Sequence, residues 1–281
     1  ESMSKLVELM KLIDVTGITV LGVLGEANRL NDREREQVLL TAIAAADGLP
    51  VIAGASASGT RAACDLAQMA ESIGASAVMI TPHAESAPSD QRVFEHFAAL
   101  AGATSLPIVL QDHPASSGVH MPVPLMLRMV HELPTISCIK EEAVPTPPKI
   151  RALKAGMAGR SVPILTGLGA LYGLFDLEAG SDGFNTGFAF PEVLMTMAAA
   201  ACEGNWQRVQ ETYARFLPLI VFEQQPGVAV RKEILRLRGT IANNTVRRPG
   251  VPINPDTAKQ LANLIGSLLP DTDLTNPVTI T

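Results

Sequence analysis

Short apolar runs alternate along this chain with longer stretches of helical periodicity. Leu6, Leu9, Met10 and Ile13 recur three and four residues apart, which predicts an amphipathic helix over residues 2–14. Ile18 to Val23 is an apolar strand that runs into Gly22-Val23-Leu24-Gly25-Glu26. Asn31 with Glu34 three residues on has the form of a capping box, so a helix is expected from there to about Ala46. Further strands are expected to begin near residues 50, 77, 107, 136 and 163, with a last one near 182, and each is followed by a helical pattern.

Regular βα alternation of this kind predicts a parallel sheet. Seven strands, preceded by a helix at the very start, suggest eight βα units of which the first strand is absent from the sequence. The fold expected is therefore α/β, a (β/α)8 TIM barrel over residues 1–203, with additional C-terminal helices over 204–281 packed on it. An open edge is unfavourable, so the missing place is expected to be filled, either by another segment or by a strand ahead of Glu1. The rival is an open doubly wound sheet. It calls for G-x-G-x-x-G after the first strand, a spacing that Gly22-Val23-Leu24-Gly25 lacks.

Composition narrows the function. With 281 residues, 47% of them hydrophobic and 18% charged, the chain can fill a sizeable core. A net charge of -6 disfavours a nucleic-acid surface. No run of apolar residues is long enough to span a membrane. Cys64, Cys138 and Cys202 are scattered and odd in number, which predicts reduced thiols and a cytoplasmic address, as does a start at Glu1 with no signal-like pattern.

In a barrel the chemistry lies at the C-terminal ends of the strands. The residues expected there are Gly22 to Glu26, Gly54 to Ser58, Thr81 to His83, Gln111 to His113, Lys140 to Glu142, Thr166 to Leu168 and Asn185 to Gly187. Lys140 is the one lysine or arginine among them, and it follows the buried-strand run Ile136-Ser137-Cys138-Ile139. A desolvated amine is a nucleophile toward a ketone; the plainer reading is a lysine that closes a strand by reaching water. The histidines show no metal-ligand spacing, and no metal is expected. Met195 and Met197 read as core. Arg231, Lys232, Arg236 and Arg238 read as a solvated basic face.

Gly22-Val23-Leu24-Gly25-Glu26, Thr81-Pro82, Ile139-Lys140-Glu141 and Asp182-Gly183-Phe184-Asn185 occur in an order and spacing that resembles the dihydrodipicolinate synthase/N-acetylneuraminate lyase family of Schiff-base aldolases and dehydratases. The resemblance implies that Lys140 forms an imine with a small 2-oxo acid and that no external cofactor is needed. It implies that the Gly22–Gly25 loop offers backbone N–H groups to the substrate carboxylate; a tight turn that needs glycine for a positive φ is the simpler account of the same residues. Glu26 would orient that loop. Gly183 would leave room at the imine, and Asn185 would join it in binding substrate. A homotetramer or homodimer is expected on the same ground.

The departures matter as much. The family's synthase moves protons through one threonine and two tyrosines. Those positions fall here on Val23 or Leu24, on His83-Ala84 and on Gln111, and its substrate arginine falls on Ser116. An amide such as Gln111 does not titrate usefully. Gln111-Asp112-x-Pro114-Ala115-Ser116 resembles instead a subgroup that dehydrates 2-keto-3-deoxy sugar acids. The expected activity is therefore a class I dehydratase or aldolase of such an acid, with Lys140, Gln111 and Asp112 in the chemistry and Ser116 at the substrate. The alternatives are dihydrodipicolinate synthase, condensing pyruvate with an aldehyde, and a non-catalytic binder of 2-oxo acids. Asp112, His113, Ser56, Glu142 or a water between Gln111 and Ser116 could carry the proton.

Overall fold

The structure is a computed structural model that describes all residues except 87, 88 and 226. Among the described residues the chain alternates strand and helix. It runs α1 (Ser2–Ile13), β1 (Ile18–Val20), α2 (Asp32–Ala46), β2 (Val51–Gly54), α3 (Thr60–Ile73), β3 (Ala77–Ile80), α4 (Asp90–Ala103) and β4 (Ile108–Asp112). There follow α5 (Pro114–Ser117), α6 (Val123–Glu132), β5 (Ile136–Glu141), α7 (Thr146–Gly156), β6 (Ile164–Thr166), α8 (Gly173–Glu178) and β7 (Gly183–Phe184). Four helices complete it: α9 (Pro191–Cys202), α10 (Trp206–Phe222), α11 (Val228–Leu237) and α12 (Pro255–Leu268). The Asn31 capping box forms as the sequence predicts: its side chain accepts from the Glu34 N–H, and the Glu34 carboxylate accepts from the Asn31 N–H, both at 3.0 Å.

All strand pairs are parallel, in the order β1 to β7. The expected closed ring of eight is not what the described residues form: β1 and β7 do not pair and are the two edges of the sheet. Among the described residues seven strands stand where the sequence predicts a ring of eight, and α1 leads into β1. The sheet curls far enough for the Thr19 hydroxyl on β1 to donate to Asn185 Oδ1, just beyond β7, at 3.3 Å.

The convex face of the sheet carries Val78, Ile80, Ile108, Leu110, Ile136, Ile139 and Ile164, packed under helix residues such as Leu39, Phe97, Met129 and Leu153. The concave face holds the smaller cluster of Met79, Val109 and Cys138. One detail of β5 decides which face Lys140 takes. The β4–β5 register slips between Ile108, opposite Ile136, and Val109, opposite Cys138. Ile136 and Ile139 therefore both face the helices, whereas strict alternation from Ile136 would have sent Lys140 to the same side. A further apolar cluster runs from Ala170 and Leu177 through α9 and α10 to Ile234, Leu261 and Val278. Among the described residues no helix is long and apolar enough to cross a membrane.

Of the basic residues in and just after α11, Arg236 is exposed as its spacing suggests, but Arg231, Lys232 and Arg238 turn inward to carboxylates. Arg231 pairs with Glu223 at 2.9 Å, Lys232 with Glu26 at 2.5 Å and Arg236 with Glu233 at 2.8 Å. Arg238, 1% exposed, donates to Glu192 at 2.5 Å and to the Ala189 carbonyl at 2.8 Å. Their acidic partners are mostly distant in sequence, which helical spacing does not reveal.

Candidate active site

Lys140 lies within β5, one residue before its end, with 8% of its surface exposed. In the ladder it stands opposite Gln111 on one side and Leu165 on the other. Successive residues of a strand alternate between faces, so Lys140 and Glu142 point the same way, as Gln111 and His113 do. The contacts agree. Lys140 Nζ is 3.4 Å from Glu142 Oε2, and Gln111 Nε2 donates to that same oxygen at 2.7 Å. The other carboxylate oxygen, Oε1, accepts the Leu168 N–H at 3.0 Å.

Glu142 is the neighbour of Lys140 that sequence pattern undervalues. Its signal is the i, i+2 spacing from Lys140, which in a strand means the same face. Burial opposes its charge. The Lys140 and His113 charges, the Gln111 amide and the Leu168 N–H together outweigh that, and hold its carboxyl below the usual range. Gly167, after β6, is part of the same cradle. A Cβ there would overlap the Glu142 carboxyl group, so glycine leaves the room that the carboxylate occupies.

Asp112, expected to join the chemistry from the exit loop of β4, is inside the strand and on its other face. It is fully buried and accepts a hydrogen bond from Lys149 of α7. The structure therefore brings Gln111 to Lys140 and takes Asp112 away from it. Ser116 is exposed on α5, where its hydroxyl meets His113 Nδ1 at 2.5 Å. The Ser56 hydroxyl is occupied by the Thr81 N–H at 2.9 Å.

The Gly22–Glu26 segment is a tight turn. Gly25 N–H bonds to Gly22 O at 3.0 Å, Glu26 N–H to Val23 O at 3.1 Å and Ala27 N–H to Gly22 O at 3.4 Å. That leaves the N–H groups of Gly22, Val23 and Leu24 as its candidate donors to an anion. The positive φ values fall on Leu21 (60°) and Glu26 (57°), not on the glycines. The glycines serve close approach: a Cβ on Gly25 would lie 3.3 Å from both Gly22 O and Leu21 N, and one on Gly54 would strike the Leu21 carbonyl.

Glu26 is 5% exposed and ties this turn to the C-terminal part of the chain. It accepts from Arg29 Nη1 at 2.9 Å, from the Arg247 N–H at 2.8 Å and from Lys232 Nζ at 2.5 Å. Burial works against its charge, but Lys232, the Arg247 N–H and Arg29 hold its pKa below the usual value. Gly183 sits in β7 opposite Leu165, which is itself opposite Lys140. Asn185 follows, its N–H on the Thr166 carbonyl at 2.9 Å and its side chain on Thr19. Among the described residues, no three His, Cys, Asp or Glu side chains gather to hold a metal ion.

The model of the Dihydrodipicolinate synthetase family matches residues 1–268. The chain is 30% identical to an L-2-keto-3-deoxyarabonate dehydratase of Azospirillum brasilense over 275 residues, 96% of this chain and 88% of that protein. It is 30% identical to a 4-hydroxy-tetrahydrodipicolinate synthase of Mesorhizobium japonicum over 251 residues, 88% of this chain and 84% of that protein. Its structure is similar to the crystal structure of a dihydrodipicolinate synthase from Rhodopseudomonas palustris, with a TM-score of 0.90 and 32% identity over 95% of this chain and 91% of that one. The match over nearly the whole length, together with these relatives, places the chain: it belongs to the dihydrodipicolinate synthetase family.

Proposed function

We propose that this protein is a class I lyase that dehydrates a 2-keto-3-deoxy sugar acid through an imine on Lys140, on a scaffold of the (β/α)8 type. The observation that carries this reading is the buried contact between the Lys140 amine and the Glu142 carboxylate, with Gln111 on the same oxygen. Similarity to the Azospirillum brasilense dehydratase favours the same substrate class.

In this reading the Val23 and Leu24 N–H groups hold the substrate carboxylate. Glu142 takes a proton from the Lys140 ammonium, and the free amine attacks the C2 carbonyl. The alkoxide so formed takes a proton from the attached nitrogen, and Glu142 returns the first proton to the resulting C2 hydroxyl, which leaves as water as the iminium forms. The iminium then draws electrons from C3, and Glu142 accepts the C3 proton to give an enamine. The enamine expels the C4 hydroxyl, which leaves as water with the proton that Glu142 returns to it. A second water hydrolyses the imine and frees Lys140. The iminium is the electron sink, so the scheme needs no external cofactor. Gln111 keeps Glu142 against the amine, and Gly183, which carries no side chain, leaves room for the rest of the substrate. We place Asp112 outside this chemistry.

The second reading is 4-hydroxy-tetrahydrodipicolinate synthase, the name of the Mesorhizobium japonicum relative. Against it stand Val23, His83, Gln111 and Ser116 at the positions where the synthase pattern has its hydroxyl relay and arginine. A homodimer or homotetramer working in the cytoplasm is part of the same proposal. A panel of 2-oxo acids, assayed for water loss and for condensation of pyruvate with an aldehyde, tests it. Turnover of a 2-keto-3-deoxy sugar acid is expected; condensation without dehydration would overturn the reading.

A further inference from the structure

Behind the lysine, on the convex side of the sheet, lies a group of charges that the scheme above does not use. Asp112 and Glu141 are direct ladder partners, one residue on from Gln111 and Lys140. Alternation turns them to the face opposite Lys140, and both are fully buried. Lys149, reaching in from α7, donates to Asp112 Oδ2 and to the Met121 carbonyl at 2.7 Å, and its Nζ stands 3.9 Å from Glu141 Oε2. Glu141 Oε1 accepts the Ala143 N–H at 2.7 Å. Two buried oxygens then remain without a hydrogen-bond partner, Asp112 Oδ1 and Glu141 Oε2.

Two ionised carboxylates can only accept, so these oxygens would repel each other in a dry interior beside a single ammonium. One proton between them turns two orphans into a donor and an acceptor, and leaves one negative charge for Lys149. We propose that Asp112 and Glu141 share a proton and, with Lys149, form a clasp that holds the ends of β4 and β5 together, and so keeps Gln111 and Lys140 in place on the other face. This makes them positioning residues for the imine chemistry proposed above, on which that part of the inference rests.

The surroundings agree. Burial, and then the Asp112 charge, push Glu141 up to about 8, against Lys149 and the Ala143 N–H. Burial also raises Asp112, against the Lys149 bond and the charge of His120. The charged and titratable groups facing the pair are Lys149 from α7 and His120 from the segment before α6, with Lys140 and Glu142 on the other side of the same strand. A cleft of about 440 Å³, lined by His120, Met121, Pro145 and Lys149 among others, opens on this side of the sheet.

Glu141→Gln tests this, because an amide donates to Asp112 at every pH. The rate of pyruvate trapping by borohydride is expected to match between wild type and Glu141→Gln at pH 7. Above pH 8 wild type should fall several-fold below the variant, as its clasp loses the proton. Coincident profiles from pH 6 to 9.5 would overturn the proposal. Asp112→Asn supplies the same singly charged pair from the other strand if Glu141→Gln folds poorly. Two readouts stand apart from imine chemistry. The carboxylic-acid carbonyl band in the infrared at pH 7 should be weaker in Glu141→Gln than in wild type by the signal of one carboxyl, the buried Glu223 contributing equally to both. The thermal midpoint should drop more steeply from pH 5 to 8 in wild type than in the variant, because the folded state holds the shared proton over that range and the unfolded chain does not. If pyruvate is never trapped, the lyase reading fails while these two still decide the shared proton; bands of equal intensity in wild type and Glu141→Gln would refute the clasp alone.

Discussion

Replacing Glu142 by Gln removes one negative charge and almost nothing of the side chain's size. At 3.4 Å, with an effective dielectric of about 20, the Lys140–Glu142 attraction is worth about 5 kcal/mol. Breaking a buried pair from one side costs about 3–5 kcal/mol in measured cases, so most of that sum should appear as instability of the charged amine. The Gln111 amide would also lose its acceptor, or turn over to find it in the new amide. The chemical loss is separate: without a carboxylate to take the C3 proton, dehydration should fall by about 10²–10⁴. Gly167→Ala reaches the same carboxylate by steric means. Its Cβ would push Glu142 off the Leu168 N–H, and overpacking of this kind costs about 1–3 kcal/mol. Both variants should be assayed for dehydration, for pyruvate trapping and for thermal stability. If folded Glu142→Gln loses less than about tenfold in dehydration rate, Glu142 does not handle the proton and the scheme built on it is wrong.

The remaining predictions concern the frame around the site. Glu26→Gln should raise KM for the 2-oxo acid more than it lowers kcat, because the turn that presents the Val23 and Leu24 N–H groups loses its tie to Lys232 and Arg247. Glu26 is held more acidic in the folded chain than when unfolded. Its contribution to stability is therefore present above its ordinary value of 4.5 and lost as pH falls below it, so the variant's deficit in urea titrations should shrink toward pH 4. Arg238→Met leaves Glu192 buried and unpaired, and should cost about 3–5 kcal/mol in denaturant unfolding with little change in KM. Thr19→Val removes the side-chain link from β1 to the segment after β7, and should cost about 0.5–1.5 kcal/mol by the same measurement.

The strand–helix order and the place of the lysine were legible in the sequence because they rest on local pattern. The apolar runs at 18, 51, 77, 108, 136 and 164 became strands, and the Asn31-x-x-Glu34 cap formed. What local pattern could not supply was facing. Asp112 read as a loop residue because it is polar, yet β4 continues through it, its burial made tolerable by Lys149 from α7. Glu142 read as one proton carrier among several. It stands apart only once a one-residue slip in the β4–β5 register sends Lys140, and with it residue 142, to the concave face. The α11 cations looked solvated because Glu26 and Glu192, which bind Lys232 and Arg238, lie far from them in sequence. The two glycines of the Gly22–Gly25 turn were credited with a positive φ that Leu21 and Glu26 in fact adopt, since what the turn needs at Gly25 is space.

Reduction with borohydride in the presence of pyruvate, followed by peptide mapping by mass spectrometry, tests the central claim most directly. The account predicts one reduced pyruvate adduct, carried by the peptide that contains Lys140, and none in folded Lys140→Arg. An adduct on a different lysine, or an unmodified Lys140 in folded protein saturated with pyruvate, would contradict it.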